Sequence, residues 1–217
     1  MNTSRLIVTQ RLPVDAPEAL TTALAVLRAG GLVVLPTDTV YGVACDPWNV
    51  QAVARLYAAK VRPRELAIPV LVASPQDVAL VAGDLPAGFA DGVARFWPGA
   101  LTIIVPRRPD LPDIVTAGQQ TVAVRMPAHP QTLTLLRLAG GVLAVTSANR
   151  SGEPASATAD DAYEELSGKV DLLLDGGLCP GGAASAIVDL TAMPPRLVRP
   201  GPLSAAELRA VWPGLLE

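Results

Sequence analysis

Lysine is nearly absent from this chain: Lys60 and Lys169 are the only two in 217 residues, against fifteen arginines. Asparagine occurs three times, as Asn2, Asn49 and Asn149, and histidine once, as His129. Beside 18 Gly and 21 Pro, such sparing use of Lys and Asn looks like a genome-wide bias toward Arg, Ala, Gly and Pro, so each exception carries information. The one histidine lies in a Pro-Ala-His-Pro turn, which argues against a Ser-His-Asp triad. Cys45 and Cys179 are far apart, lack CxxC spacing and, with one His, are too few for a structural zinc site. Neither lysine stands in GxxxxGK[ST], and GxGxxG, HExxH and GxSxG are all missing. An enzyme built from this chain therefore works with Lys, Arg, hydroxyls and backbone groups, a set suited to phosphates and carboxylates.

Half of the residues are hydrophobic and mean hydropathy is +0.38, yet no run of about 18 apolar residues exists, so the apolar content is core rather than membrane span. The first residues, MNTSRLIVTQRLP, lack the apolar centre of a secretion signal, and a cytoplasmic location with reduced thiols is expected. A net charge of −3 and eight aromatics argue against a protein whose whole task is to hold long nucleic acid. With 17% charged residues and this much apolar content, the chain is not disordered.

What is present is a series of short apolar runs: 32–35, 68–72, 101–105, 122–124, 142–145, 172–174 and 187–190, each expected as a buried strand. Helix starts are predicted at Asp15 with Glu18, Asn49, Ser74-Pro75 with Asp77, Thr158 and Ser204 with Glu207. The alternation predicts an α/β fold with a mixed, largely parallel sheet flanked by helices on both faces.

Several strands run into small polar or cationic residues, where ligands bind in open α/β sheets. Pro36-Thr37-Asp38-Thr39-Val40-Tyr41-Gly42 follows the first run and is either a turn with a cap or part of a site. Lys60-Val61-Arg62-Pro63-Arg64 ends a helix; three cations there favour its C-terminal dipole as a solvated cap, or bind phosphate. If Lys60 binds phosphate from the helix end, Lys60→Ala removes activity and leaves the fold intact, because a helix-end cation contributes little to stability; retained activity would make it a solvated cap. Phe96-Trp97-Pro98-Gly99-Ala100-Leu101-Thr102 is read as packing. Alternation puts Thr121, Ala123 and Arg125 on one strand face, with a small residue leaving room for a ligand. Thr146-Ser147-Ala148-Asn149 ends another run, and Gly181-Gly182 leads to Ser185-Ala186-Ile187 and on to Arg199-Pro200-Gly201.

Taken in order, PTDTVYG, KVRP, FWPGALT, TVAVRMP, TSANRSG, GGAASAIVD and RPG resemble the YrdC/TsaC family of threonylcarbamoyl-AMP synthases. The resemblance implies a single domain over 1–217, with motifs in 20–201 and no second C-terminal domain, and a twisted sheet around a large concave cavity. It implies a nucleotidyltransferase that converts L-threonine, bicarbonate and ATP to threonylcarbamoyl-AMP, for a partner transferase complex that modifies adenosine 37 of tRNAs. Magnesium would travel on ATP, without protein ligands or a prosthetic group. By the same resemblance Thr37, Tyr41, Arg125, Ser147 and Ser185 would hold L-threonine. Lys60, Arg62, Thr121, Asn149, Ser156 and Arg199 would hold ATP, with Lys60 and Arg62 offsetting charge in the reaction. The chain departs from the family at Val61, where Gly is usual, and at Ala186, where a hydroxyl is usual. The competing readings are an RNA-binding module without catalysis, including weak direct tRNA binding, and the related domain of hydrogenase-maturation carbamoyltransferases.

Overall fold

Each of the seven apolar runs becomes a strand. The computed structural model describes residues 7–217; Asn2 and the first six residues of the N-terminal stretch lie outside it. The strands are β1 (Gln10–Pro13), β2 (Val33–Leu35), β3 (Gly42–Cys45), β4 (Val70–Val72), β5 (Leu101–Pro106), β6 (Thr121–Arg125), β7 (Val142–Ser147), β8 (Leu172–Asp175), β9 (Ala186–Asp189) and β10 (Arg196–Arg199). They form one sheet in the order β1-β8-β2-β3-β7-β4-β6-β5-β9-β10. The helices are α1 (Ala19–Arg28), α2 (Val50–Lys60), α3 (Phe89–Phe96), α4 (Asp113–Thr116), α5 (Pro130–Leu138), α6 (Ala159–Leu166) and α7 (Ala205–Val211), with a 3-10 helix at Pro75–Leu80.

The sheet is mixed, as expected, but parallel pairs do not dominate: four are parallel and five antiparallel. The loop 36–41 is the reason at the centre. It is too short for a crossover, so β3 must return antiparallel beside β2, and β7 then pairs antiparallel with β3. β1 and β10 carry exposed residues at the two sheet edges, and their composition gave no apolar signal.

Two apolar cores lie on the two faces. Leu27, Ala23 and Leu135 from α1 and α5 pack with Val33, Leu35, Leu172 and Leu174 on one face. Val53, Leu56 and Tyr57 of α2, with Ala162 of α6 and Leu208 of α7, cover the other. Three caps are as predicted: Asn49 Oδ1 accepts from the Ala52 N–H at 3.0 Å, and Thr158 and Ser204 form capping boxes with Asp161 and Glu207. The first predicted start is not. α1 begins at Ala19 after a turn over 14–18, with no side-chain cap from Asp15 or Glu18. His129 is the N-cap of α5, its Nδ1 accepting from the Thr132 N–H at 3.4 Å, a structural task for the chain's one imidazole.

Val61 ends α2 at φ +52°, ψ +41°, with 63% of its surface exposed. A β-branched residue is poorly tolerated in this left-handed conformation, and exposure denies the side chain any compensating burial. Val61→Gly is therefore expected to stabilise the protein by about 1 kcal/mol, seen as a rise of roughly 2–4 °C in the thermal unfolding midpoint.

Candidate active site

Loop 36–41, the start of β5, the end of β6, the end of β7, the residue before β9 and the end of β10 converge on a cavity of about 380 Å³. That volume lies within the range of small-molecule sites. Its wall is largely apolar, with Pro69, Leu71, Ile104 and Val145 among the lining side chains, and it carries the hydroxyls of Thr37, Thr39, Tyr41, Thr102, Thr146, Ser147 and Ser185. Among the described residues, the charged lining side chains are those of Arg62, Arg125 and Arg199, and no carboxylate lines the cavity.

Arg125 is buried and held from three sides. Its Nε donates to the Gly99 carbonyl at 2.8 Å, Nη1 to Thr39 Oγ1 at 2.8 Å and Nη2 to Asp38 Oδ1 at 2.6 Å. Asp38 also accepts from the Ala128 N–H at 2.9 Å, so one carboxylate ties loop 36–41 to the end of β6. Three of the five guanidinium protons are thereby used, leaving one on each terminal nitrogen for a ligand. Burial lowers the pKa of Arg125 from its ordinary value, Asp38 counteracts it, and Arg199 adds repulsion.

Arg199 donates to the Ser185 carbonyl through Nε at 3.1 Å and Nη2 at 2.9 Å. Burial, then Arg62, lowers its pKa. Arg62 donates to the carbonyls of Leu66 and Ala67, and burial lowers it too. Mutual repulsion among cations gathered at a half-apolar wall is relieved by an anionic ligand, which is what such a site is built to take.

Seven of the eleven predicted site residues line the cavity: Thr37, Tyr41, Arg62, Arg125, Ser147, Ser185 and Arg199. Three of these have their hydroxyls already engaged, Ser185 with Thr102 at 2.7 Å and the other two within the loops. Thr37 Oγ1 donates to the Val40 carbonyl and accepts from the N–H groups of Thr39 and Val40, which shapes the loop. Tyr41 donates to the Gly177 carbonyl at 2.8 Å and accepts from the Gly176 N–H at 3.0 Å; burial pushes its pKa up to about 12. The phenol thus pins the Gly-rich loop against the site.

Lys60, Thr121, Asn149 and Ser156 are outside the lining. Lys60 is no solvated helix cap: it is 1% exposed, and its Nζ donates to the carbonyls of Ser147 and Asn149 and, at 3.4 Å, to Asn149 Oδ1. Helical position alone could not reveal this, because the acceptors come from the far end of β7. Asn149 Nδ2 donates to the carbonyls of Arg150 and Glu153, and Ser156 Oγ to the Ala148 carbonyl, so both shape the turn that receives Lys60. Thr121 shares the strand face of Ala123 and Arg125, as alternation predicted, but only the latter two line the cavity.

Sequence reasoning missed Thr39, Thr102 and Thr146. Thr102 falls in a segment expected to pack, yet alternation in β5 gives it away: Leu101, Ile103 and Val105 face the core while Thr102 and Ile104 face the cavity. The departure at Ala186 has a structural answer. Its side chain belongs to the core, between the cavity-lining Ser185 and Ile187, so a hydroxyl there would not face the ligand. Gly201 is required by proximity, since a Cβ would come within 2.2 Å of the Ala186 nitrogen.

Residues 25–201 match the Sua5/YciO/YrdC family model, whose description reads telomere recombination. The chain belongs to the Sua5/YciO/YrdC family. Among curated members, it is 39% identical to the threonylcarbamoyl-AMP synthase of Pyrococcus abyssi over 87% of this chain and 56% of that one. It is 40% identical to a putative threonylcarbamoyl-AMP synthase of Mycobacterium tuberculosis over 92% of this chain and 91% of that one. The crystal structure of P. abyssi Sua5 complexed with L-threonine superposes with a TM-score of 0.90 at 36% identity, covering 98% of this chain and 62% of the other. The chain thus spans little more than half the length of the Pyrococcus member and nearly all of the mycobacterial one. Its mixed α/β sheet is that of the Sua5/YciO/YrdC family.

Proposed function

We propose that this chain is a threonylcarbamoyl-AMP synthase, which converts L-threonine, bicarbonate and ATP to threonylcarbamoyl-AMP, diphosphate and water. The observation that carries the reading is a cavity at strand ends whose charged lining consists of three arginines, in a chain similar to a synthase of that name and to a structure complexed with L-threonine.

In this reading, Arg125 grips the threonine carboxylate with its two uncommitted N–H groups, a charge-assisted pair of bonds. Ser147 and Ser185 offer hydroxyls nearby, while Thr37 and Tyr41 act by holding the loops that close the subsite. The threonine amine adds to the bicarbonate carbon, losing water, and the resulting carbamate oxygen attacks the α-phosphorus of ATP as diphosphate leaves. Neither step needs a protein nucleophile. The task left to the protein is alignment and neutralisation of charge. Arg62 and Arg199 face the triphosphate, with Mg²⁺ carried on it. Lys60, from behind the wall, adds positive potential while fixing the Ser147–Asn149 backbone; Asn149 and Ser156 support that turn, and Thr121 extends the ATP side along β6.

The product would pass in the cytoplasm to a transferase acting on tRNA adenosine 37. Catalysis is favoured over an RNA-binding module because three arginines converge on one cavity while the chain as a whole carries a net charge of −3. Diphosphate release by the purified protein tests the proposal: release is expected only when ATP, L-threonine and bicarbonate are all present. Equal release without L-threonine would reduce the activity to ATP hydrolysis and overturn it.

A further inference from the structure

Ser185 is clamped more tightly than a substrate-contacting hydroxyl requires for its own sake. Its carbonyl takes two bonds from Arg199, its backbone abuts Gly201, and its Oγ lies 2.7 Å from Thr102 Oγ1 across the β5–β9 junction. Both residues are 3% exposed. Arg199 Nη2 also approaches Ser185 Oγ at 3.4 Å, and a guanidinium can only donate, so one lone pair of that oxygen is taken. Apart from Ser185, Thr102 Oγ1 has no hydrogen-bond partner among the described residues.

We propose that Thr102 is a positioning residue for the synthase reaction: its hydroxyl donates into the second lone pair of Ser185 Oγ, so that the Ser185 proton is left to face the cavity as a donor to the substrate. With both lone pairs filled, Ser185 has one way to bond a ligand, by giving its proton to an oxygen. This suits the carboxylate or carbamate oxygen of an amino-acid substrate and disfavours an approaching N–H donor. Thr102 itself need touch nothing but Ser185.

The inference rests on the proposed synthase activity, and the test separates the two. Thr102→Val keeps the β-branched shape and removes the donor, and Thr102→Ser keeps the donor. In the diphosphate-release assay, Thr102→Val is expected to raise KM for L-threonine by about five- to tenfold with kcat changed less than about twofold, the loss of one neutral hydrogen bond. Thr102→Ser is expected to stay within about twofold of the parent. Because Thr102 acts through Ser185, the Thr102→Val/Ser185→Ala pair should be no worse than Ser185→Ala alone. A Thr102→Val enzyme with parental KM, or a double variant worse by the full factor of each, overturns the proposal. If the parent protein releases no diphosphate, the synthase reading fails, and the positioning claim is then decided by a crystal structure of Thr102→Val. Ser185 Oγ rotated from its place beside Arg199 supports it, and an unmoved Ser185 overturns it.

Discussion

Replacing Arg125 with methionine is expected to reduce kcat/KM for L-threonine by at least a hundredfold and to cost about 3–5 kcal/mol of stability. The catalytic part follows from the two N–H groups left for a carboxylate, since a bond to a charged partner contributes roughly 1.5–3 kcal/mol. The stability part follows from what the substitution strands. Asp38 loses its ion-pair partner while partly buried at the base of loop 36–41, and Thr39 Oγ1 and the Gly99 carbonyl each lose a donor. Arg125→Lys separates the two effects. Lysine keeps the charge beside Asp38 but cannot reach in a planar fork to Gly99, Thr39 and a ligand at once. It should therefore recover much of the stability and little of the activity. Thermal unfolding and the KM for L-threonine, measured on both variants, check this.

Lys60→Met is the second. Removing the ammonium leaves the carbonyls of Ser147 and Asn149 buried without donors, at about 1–3 kcal/mol each, and loosens the end of β7 where Ser147 lines the site. Activity and stability should fall together, in contrast to the intact fold expected of a solvated cap. The loss carries a pH signature. Burial first and Arg62 second push the Lys60 pKa down to about 7 from an ordinary 10.5. A folded pKa below the unfolded one means that the unfolded chain binds more protons between those values. Stability tied to Lys60 is then fully present above about 10.5 and is lost as pH falls through about 7. The stability of the parent should decline relative to Lys60→Met from pH 10 to pH 7, by at most about 1.4 kcal/mol per pH unit. Denaturant unfolding of both proteins across that range measures the slope; parallel curves would mean that the buried amine does not titrate there.

These two residues also mark how far the sequence could be read. Arg125 was legible because β6 alternates, which sets it beside Ala123 on the ligand face. The seven buried strands were legible for the same kind of reason, since a run of branched apolar side chains has few other fates. Lys60 stood out as a compositional exception and as part of a cation cluster, neither of which signals burial. That it is sunk behind the wall, whereas Lys169 is exposed and bonds the Glu165 carbonyl, depends on a turn 87 residues away in sequence and leaves no periodic trace. The edge strands β1 and β10 were silent because exposed edges carry polar residues that pattern like loops. Antiparallel pairing exceeded expectation because the six-residue loop 36–41 is both part of the site and a reversal of chain direction, and the two roles share the same Pro, Thr and Asp. Resemblance named the ligand set, but it could not say which members touch the cavity and which hold its wall.

The central claim is that a cavity with three arginines joins an amino acid to AMP through a carbonate-derived carbon. Incubating the protein with ATP, L-threonine and ¹³C-bicarbonate, with immediate mass spectrometry, tests it most directly. The expected product is a threonylcarbamoyl adenylate that carries the label in its carbamoyl carbon, formed in step with diphosphate. Diphosphate accompanied by AMP alone, or an adenylate without the label, would contradict it.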